Sequence, residues 1–193
     1  GPLPPPQAQA IAGQLLSALD AAHRLQIVHR DIKPANIFLD GDHALLGDFG
    51  IAHAESSSDG DAPLTEDGRW LGTPAYMSPE QLAGQEATEA SDQYSLAMVI
   101  YAMHTGRRWR TGMNPPTADW SGVPQTTVLA LSRSLALAPE DRWADVAAWA
   151  MALGARRKRP LVGWIALAGV VLVAALGVVL GTRGSAPVMA TLI

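Results

Sequence analysis

The chain has 193 residues, 48% of them hydrophobic, with a formal net charge of -4 and no cysteine. That is enough for one ordinary domain and a short appendage, and too little for two full domains. The acidic balance disfavours a nucleic-acid partner, which calls for a basic face to displace condensed counterions, and the lack of cysteine excludes disulfide frameworks, cysteine nucleophiles and cysteine-ligated zinc.

The opening Gly1-Pro2-Leu3-Pro4-Pro5-Pro6 has no initiating methionine and lacks the basic-then-apolar order of a secretory signal. Residues 1–6 read as the Pro-rich end of a truncated segment. Ala8, Ile11, Ala12, Leu15, Leu16, Leu19 and Ala22 then recur at three- and four-residue spacing, the stripe of an amphipathic helix running to about Arg24. After Ile27-Val28 and a polar loop, the apolar runs Ile37-Phe38-Leu39 and Ala44-Leu45-Leu46 flank Asp40-Gly41-Asp42, which predicts a small hairpin. From Ile51 to about Thr73 no apolar period survives, and Ser56, Ser57, Ser58, Asp59, Gly60, Asp61 and Pro63 mark a long loop. Tyr94, Leu96, Ala97, Met98, Val99, Ile100, Tyr101 and Met103 are apolar nearly all round, the pattern of a helix buried on most sides and too short to span a membrane. Two further helices are expected at about 127–136 and 144–153, separated by Pro139-Glu140-Asp141. No internal repeat is visible.

The tail differs in kind. Leu161 to Leu180 holds no charged or strongly polar residue, and at ~1.5 Å per residue it would cover ~30 Å of hydrocarbon, the thickness of a bilayer core. A buried core helix is the competing reading. Arg156-Arg157-Lys158-Arg159 precedes the run and only Arg183 follows it, an asymmetry that keeps the preceding part cytoplasmic. The basic run would serve as a topology signal or would also touch anionic lipid. Trp164 falls where an interfacial anchor would sit, and Gly177 with Gly181 has the spacing that lets two spans approach, or is incidental in a Gly- and Ala-rich stretch. The expected organisation is a globular part over 7–154, a basic juxtamembrane segment over 155–160, a transmembrane helix over 161–181 and the start of an extracytoplasmic region over 182–193.

Chemistry concentrates in two short stretches. His29-Arg30-Asp31-Ile32-Lys33-Pro34-Ala35-Asn36 offers a carboxylate, an ammonium and an amide, and Asp48-Phe49-Gly50 offers a second carboxylate from across the hairpin. Phosphoryl transfer needs such a set: a group to align a hydroxyl, positive charge for the phosphates and oxygen ligands for magnesium. Hydrolysis by paired carboxylates would need neither the lysine nor the asparagine. HRDIKPANIFLD, DFG and GTPAYMSPE, in this order and spacing, resemble the catalytic, magnesium and substrate-binding loops of the eukaryotic-like serine/threonine protein kinases, and specifically their bacterial receptor type.

The resemblance covers about Leu15 to Leu153 and implies a mainly α fold with small β-hairpins, the C-terminal lobe of a protein kinase. It implies that Asp31 accepts or orients the substrate hydroxyl proton, that Lys33 stabilises the transferring phosphoryl group, and that Asn36 and Asp48 hold Mg2+ (or Mn2+) with ATP as co-substrate. Arg30 would read a phosphate on the activation loop by bidentate pairing. His29 and Phe49 would pack as a spine between the two loops, and Thr73 would contact Asp31 and Lys33, marking serine/threonine specificity. Ser78 stands where the family more often has alanine. Glu80 would pair with Arg142 as a buried ion pair, the alternative being a surface pair. Asp92 would hold the catalytic-loop backbone, the alternative being a helix N-terminal charge. Thr65, with Ser56, Ser57 or Ser58, is the expected regulatory phosphosite, against a serine-rich loop that is merely solvated.

The sequence contains no GxGxxG, no VAIK-type strand and no helix carrying that lysine's glutamate partner. The resemblance therefore implies negligible phosphate transfer by residues 1–193 alone. Expected partners are protein substrates, the lipid bilayer and a second copy of the chain, through the lobe or the span. A non-catalytic membrane scaffold is the alternative function. A small-molecule phosphotransferase is disfavoured by GTPAYMSPE, which that group normally lacks.

Overall fold

A computed structural model of the chain describes residues 1–49 and 74–154, all within the first of two units, Gly1–Arg157. Helix α1 spans Pro5–Arg24. It starts upstream of the apolar stripe and takes in Pro5 and Pro6, because proline at the first helical positions lacks only an N–H that would be unpaired anyway and brings its φ preset. The Pro-rich opening is thus partly helical and docked: the Leu3 N–H donates to Met103 O at 2.7 Å. Every residue of the stripe is buried, with Leu15, Leu16 and Leu19 at 0% exposure, each worth about 1.5–3 kcal/mol of transfer free energy.

Strands β1 (Ile37–Asp40) and β2 (His43–Leu46) form an antiparallel hairpin in which Phe38 faces Leu45 and Leu39 faces Ala44. The turn is two residues, with Gly41 at φ 56°, the left-handed conformation such turns require. Gln14 on α1 anchors it, donating to Asp42 O at 2.8 Å and accepting from the Ala44 N–H at 2.7 Å.

The short helix α2 (Pro79–Leu82) was not anticipated from apolar periodicity. Its N-cap explains Ser78: the Ser78 hydroxyl accepts from the Gln81 N–H at 3.4 Å while Gln81 Oε1 accepts from the Ser78 N–H at 3.1 Å, a reciprocal cap that alanine cannot make. Helix α3 (Glu89–Thr105) begins five residues before the apolar run at Tyr94. Its first turns carry Ser91, Asp92 and Gln93, all buried at 1% exposure, so apolar patterning alone missed them. It ends at Gly106, φ 67°, where a Cβ would lie 2.9 Å from Pro2 Cδ. Helices α4 (Gln125–Ser134) and α5 (Val146–Ala152) bracket the 3-10 turn Pro139–Asp141. α1 packs on α3 and α5, and α4 packs on the same two helices, giving one core with the hairpin and the polar loop at its edge.

Among the described residues no helix is long and apolar enough to cross a membrane. The expected span at 161–181 and its basic flank lie outside the described residues, as do Gly50, Ser56, Ser57, Ser58, Thr65 and Thr73.

Candidate active site

The loop from His29 to Asn36 is held from several sides. Asp92, buried at the start of α3, accepts the His29 N–H at 2.8 Å and the Arg30 N–H at 2.9 Å, and meets His23 Nε2 at 2.8 Å. Helix α1 supplies His23 from its last turn, and α3 supplies Asp92. Arg30 takes φ 71°, a left-handed conformation that costs a non-glycine residue about 1–2 kcal/mol and that the two bonds to Asp92 offset. Gln81 fixes the other side of this residue, donating through Nε2 to Arg30 O at 2.9 Å. The peptide entering Asp31 is therefore clamped by α3 and α2 together.

Asp31, Lys33 and Asn36 converge. Lys33 Nζ lies 2.6 Å from Asp31 Oδ2, and Asn36 Nδ2 donates to Asp31 O at 2.8 Å and to Oδ2 at 3.1 Å. Asn36 is buried and Asp31 is exposed, so a rigid amide presents a carboxylate to solvent. With Nδ2 committed to Asp31, the Asn36 Oδ1 has no protein donor among the described residues and stays available as an oxygen ligand.

Asp48 reaches this loop through its neighbour. The Gly47 N–H donates to Asn36 O at 2.9 Å, and Gly47 O accepts from His29 Nε2 at 2.9 Å. Because Nε2 carries the proton, His29 Nδ1 keeps a lone pair, which faces the Asp31 N–H at 3.4 Å. The buried His29 ring lies 4.5 Å from the Phe49 ring, tilted by 39°. Asp48 itself is exposed at φ 54°, and no hydrogen bond among the described residues joins its carboxylate to Asp31 or Asn36. Magnesium suits this donor set: it keeps most of its waters and needs one or two protein oxygens rather than a cage.

Against Gly47, next in the chain to Asp48, lies an apolar shelf that sequence reading overlooked. Phe38 and Leu45 are cross-strand neighbours on one face, 49% and 56% exposed. A Cβ at Gly47 would stand 2.8 Å from Phe38 Cε2, so glycine there lets the ring approach the backbone closely.

Glu80 and Arg142 form a forked pair, Nη1 to Oε1 at 2.6 Å and Nη2 to Oε2 at 2.8 Å. The remaining guanidinium donors reach Ala90 O, Leu137 O and Ala136 O, so all five N–H groups are used. Burial pushes the Glu80 carboxyl up, but hydrogen bonds from Arg142 and from the Ser91 hydroxyl outweigh it and hold the pKa at about 2. A carboxyl depressed in the folded state stabilises above its unfolded value of about 4.5 and ceases to do so as pH falls through about 2. Acid titration followed by far-UV circular dichroism is therefore expected to show stability lost across that window, with Glu80→Gln giving a shallower loss there.

Among the described residues the Arg30 side chain meets Glu86, at 3.8 Å, and its Nε is buried without a hydrogen-bond partner there. His23 and Gln81 were not singled out from sequence. The Ser-x-x-Gln spacing from Ser78 to Gln81 is a capping signature that could have flagged the second, and the position of His23 beside Ala22 on the inward face of α1 could have flagged the first.

The family described as "Protein kinase domain" matches residues 1–146. The chain is 41% identical over 167 residues to the serine/threonine-protein kinase PknH of Mycobacterium bovis, covering 79% of this chain and 27% of that protein. To the serine/threonine-protein kinase PknE of Mycobacterium tuberculosis it is 39% identical over 157 residues, covering 74% of this chain and 27% of the relative. It therefore spans about a quarter of the length of these curated relatives. The crystal structure of the Mycobacterium tuberculosis PknI kinase domain superposes with a TM-score of 0.60 at 31% identity, over 80% of this chain and 56% of that one.

Proposed function

Because this chain belongs to the protein kinase family, on its serine/threonine side, we propose that its polar loop carries out transfer of the ATP γ-phosphate to serine and threonine hydroxyls of proteins. The observation that carries the reading is the meeting of Lys33 and Asn36 on a single exposed oxygen, Asp31 Oδ2, at 2.6 and 3.1 Å. In the transfer the substrate Oγ–P bond forms as the bond from the γ-phosphorus to the ADP oxygen breaks, and the hydroxyl proton passes to the Asp31 carboxylate. Lys33 offers positive charge to the moving phosphoryl oxygens, and Asn36 with Asp48 would hold magnesium. When bound, the metal would supply positive charge to neutralise the phosphates. The exposed Phe38–Leu45 shelf against Gly47 offers an apolar floor for the adenine ring.

The wider assignments rest on the sequence. The apolar run at 161–181 with its basic flank favours a single-pass membrane protein whose kinase part is cytoplasmic, signalling across the bilayer, with pairing through the lobe or the span. The Nε of Arg30, buried and without a partner among the described residues, favours a phosphate acceptor at Thr65 or Ser56, Ser57 and Ser58.

The test is labelled-phosphate transfer from ATP to a protein acceptor by the full-length protein. Magnesium-dependent labelling of serine or threonine, abolished by a chelator and absent from residues 1–193 alone, is the expected result. A full-length protein with no such transfer that still captures its partners would make the chain a scaffold instead.

A further inference from the structure

The segment following α3 is short and carries no α-helix until α4 at Gln125. Its shape is set by aromatic packing. Trp109 is fully buried, with its ring 5.1 Å from Tyr101 and 6.0 Å from Trp120 and its Nε1 3.3 Å from the Tyr94 hydroxyl. With Trp109 turned into the core, Arg108 and Arg110 on either side of it are left exposed.

These two arginines stand apart from the other basic side chains. Arg24, Arg30, Lys33, Arg107 and Arg142 each face a carboxylate, and Arg133 lies over the Trp143 ring. Arg108 and Arg110 have no such partner among the described residues. Their place in the fold gives the vacancy a use. The Thr111 hydroxyl, next in the chain to Arg110, donates to Met77 O at 2.7 Å. Met77 belongs to the stretch that leads into α2, and Gln81 of α2 donates to Arg30 O at 2.9 Å, beside Asp31. Two exposed arginines therefore belong to a segment that hydrogen bonds connect, through Met77 and Gln81, to the backbone of the residue before Asp31.

From this juxtaposition we propose that Arg108 and Arg110 are a docking lip for an acidic stretch of the protein substrate, selecting substrates whose serine or threonine lies near aspartate or glutamate. The proposal rests on the protein kinase reading above and names the substrate class for that site. Exposed ion pairs are individually weak, so two of them are expected to give a selectivity of about tenfold, not an absolute requirement.

The experiment measures kcat/KM of the full-length protein for matched serine peptides carrying acidic, neutral or basic flanks. Expected is a preference of about tenfold for acidic over neutral flanks, residing in KM and shrinking at high salt. Arg108→Glu with Arg110→Glu should reverse it, with lysine-flanked peptides now preferred. Equal kcat/KM for the three peptides, or a double variant that keeps the acidic preference, would overturn the proposal and leave the kinase reading intact. If no peptide and no protein acceptor is phosphorylated, the kinase reading itself falls and the proposal with it. Loss of binding to phosphatidylserine vesicles by the double variant, with the peptide ratio unchanged, would assign the arginines to a membrane surface and overturn it as well.

Discussion

Replacing Arg142 by alanine is expected to lower the unfolding free energy by about 3–5 kcal/mol, the range seen when one member of a buried ion pair is removed. The physical cause is the charge left behind. Glu80 is 7% exposed and Arg142 1% exposed, so water cannot replace the guanidinium. Ser91 would remain as a side-chain donor to Glu80 Oε1, and the carbonyls of Ala90, Leu137 and Ala136 would each lose a donor. The loss also reaches past the pair. Arg142 lies with its guanidinium carbon 4.9 Å from the centre of the Tyr94 ring on α3, so it joins α2, α3 and the turn before α5. Urea unfolding monitored by tryptophan fluorescence would read the loss. Arg142→Lys is expected to cost less, about 1–3 kcal/mol, because an ammonium restores the charge but cannot span five acceptors. A lysine variant as damaged as the alanine one would mean that the fork geometry, not the charge, carries the stability.

Such a pair was legible in the sequence only through the family resemblance that GTPAYMSPE helps to carry; spacing of 62 residues says nothing by itself about contact. The same holds for the loop of Asp31, where the order of residue types named the chemistry before any geometry was known. Periodicity served well where burial is apolar, as in the stripe of α1. It failed where burial is polar: the first turns of α3 hide Ser91, Asp92 and Gln93, and a hydrophobic pattern is blind to groups that are buried because their hydrogen bonds are complete. It also failed at α2, whose single turn is specified by a cap instead of an apolar face. Gln81 and His23 escaped notice for a related reason. The Ser-x-x-Gln cap and the inward face of α1 mark the two positions, but not the long-range hydrogen bonds they make, to Arg30 O and to Asp92 respectively.

Asp31→Asn is the substitution expected to affect turnover most. In the full-length protein kcat for phosphate transfer should fall by about 10²–10⁴-fold, the usual contribution of a positioned general base, while the unfolding free energy changes by about 0.5 kcal/mol or less, as for exposed positions. The geometry separates the two effects. Asp31 is exposed, and its backbone is held by groups the substitution leaves in place: the Arg30 carbonyl bound by Gln81 and the Asp31 carbonyl bound by Asn36 Nδ2. Asparagine keeps an oxygen for Lys33 and Asn36, so the loop should persist. What it cannot do is take up the hydroxyl proton, because a carboxamide is not a base near neutral pH. KM for ATP should therefore stay near the parent value, and kcat and kcat/KM should fall together, the signature of an interaction made only in the transition state. A variant with near-parent kcat would show that the proton leaves by another route and that the carboxylate serves only to orient the hydroxyl. A large rise in KM for ATP at unchanged kcat would instead assign Asp31 to nucleotide binding, in conflict with its place between Lys33 and Asn36.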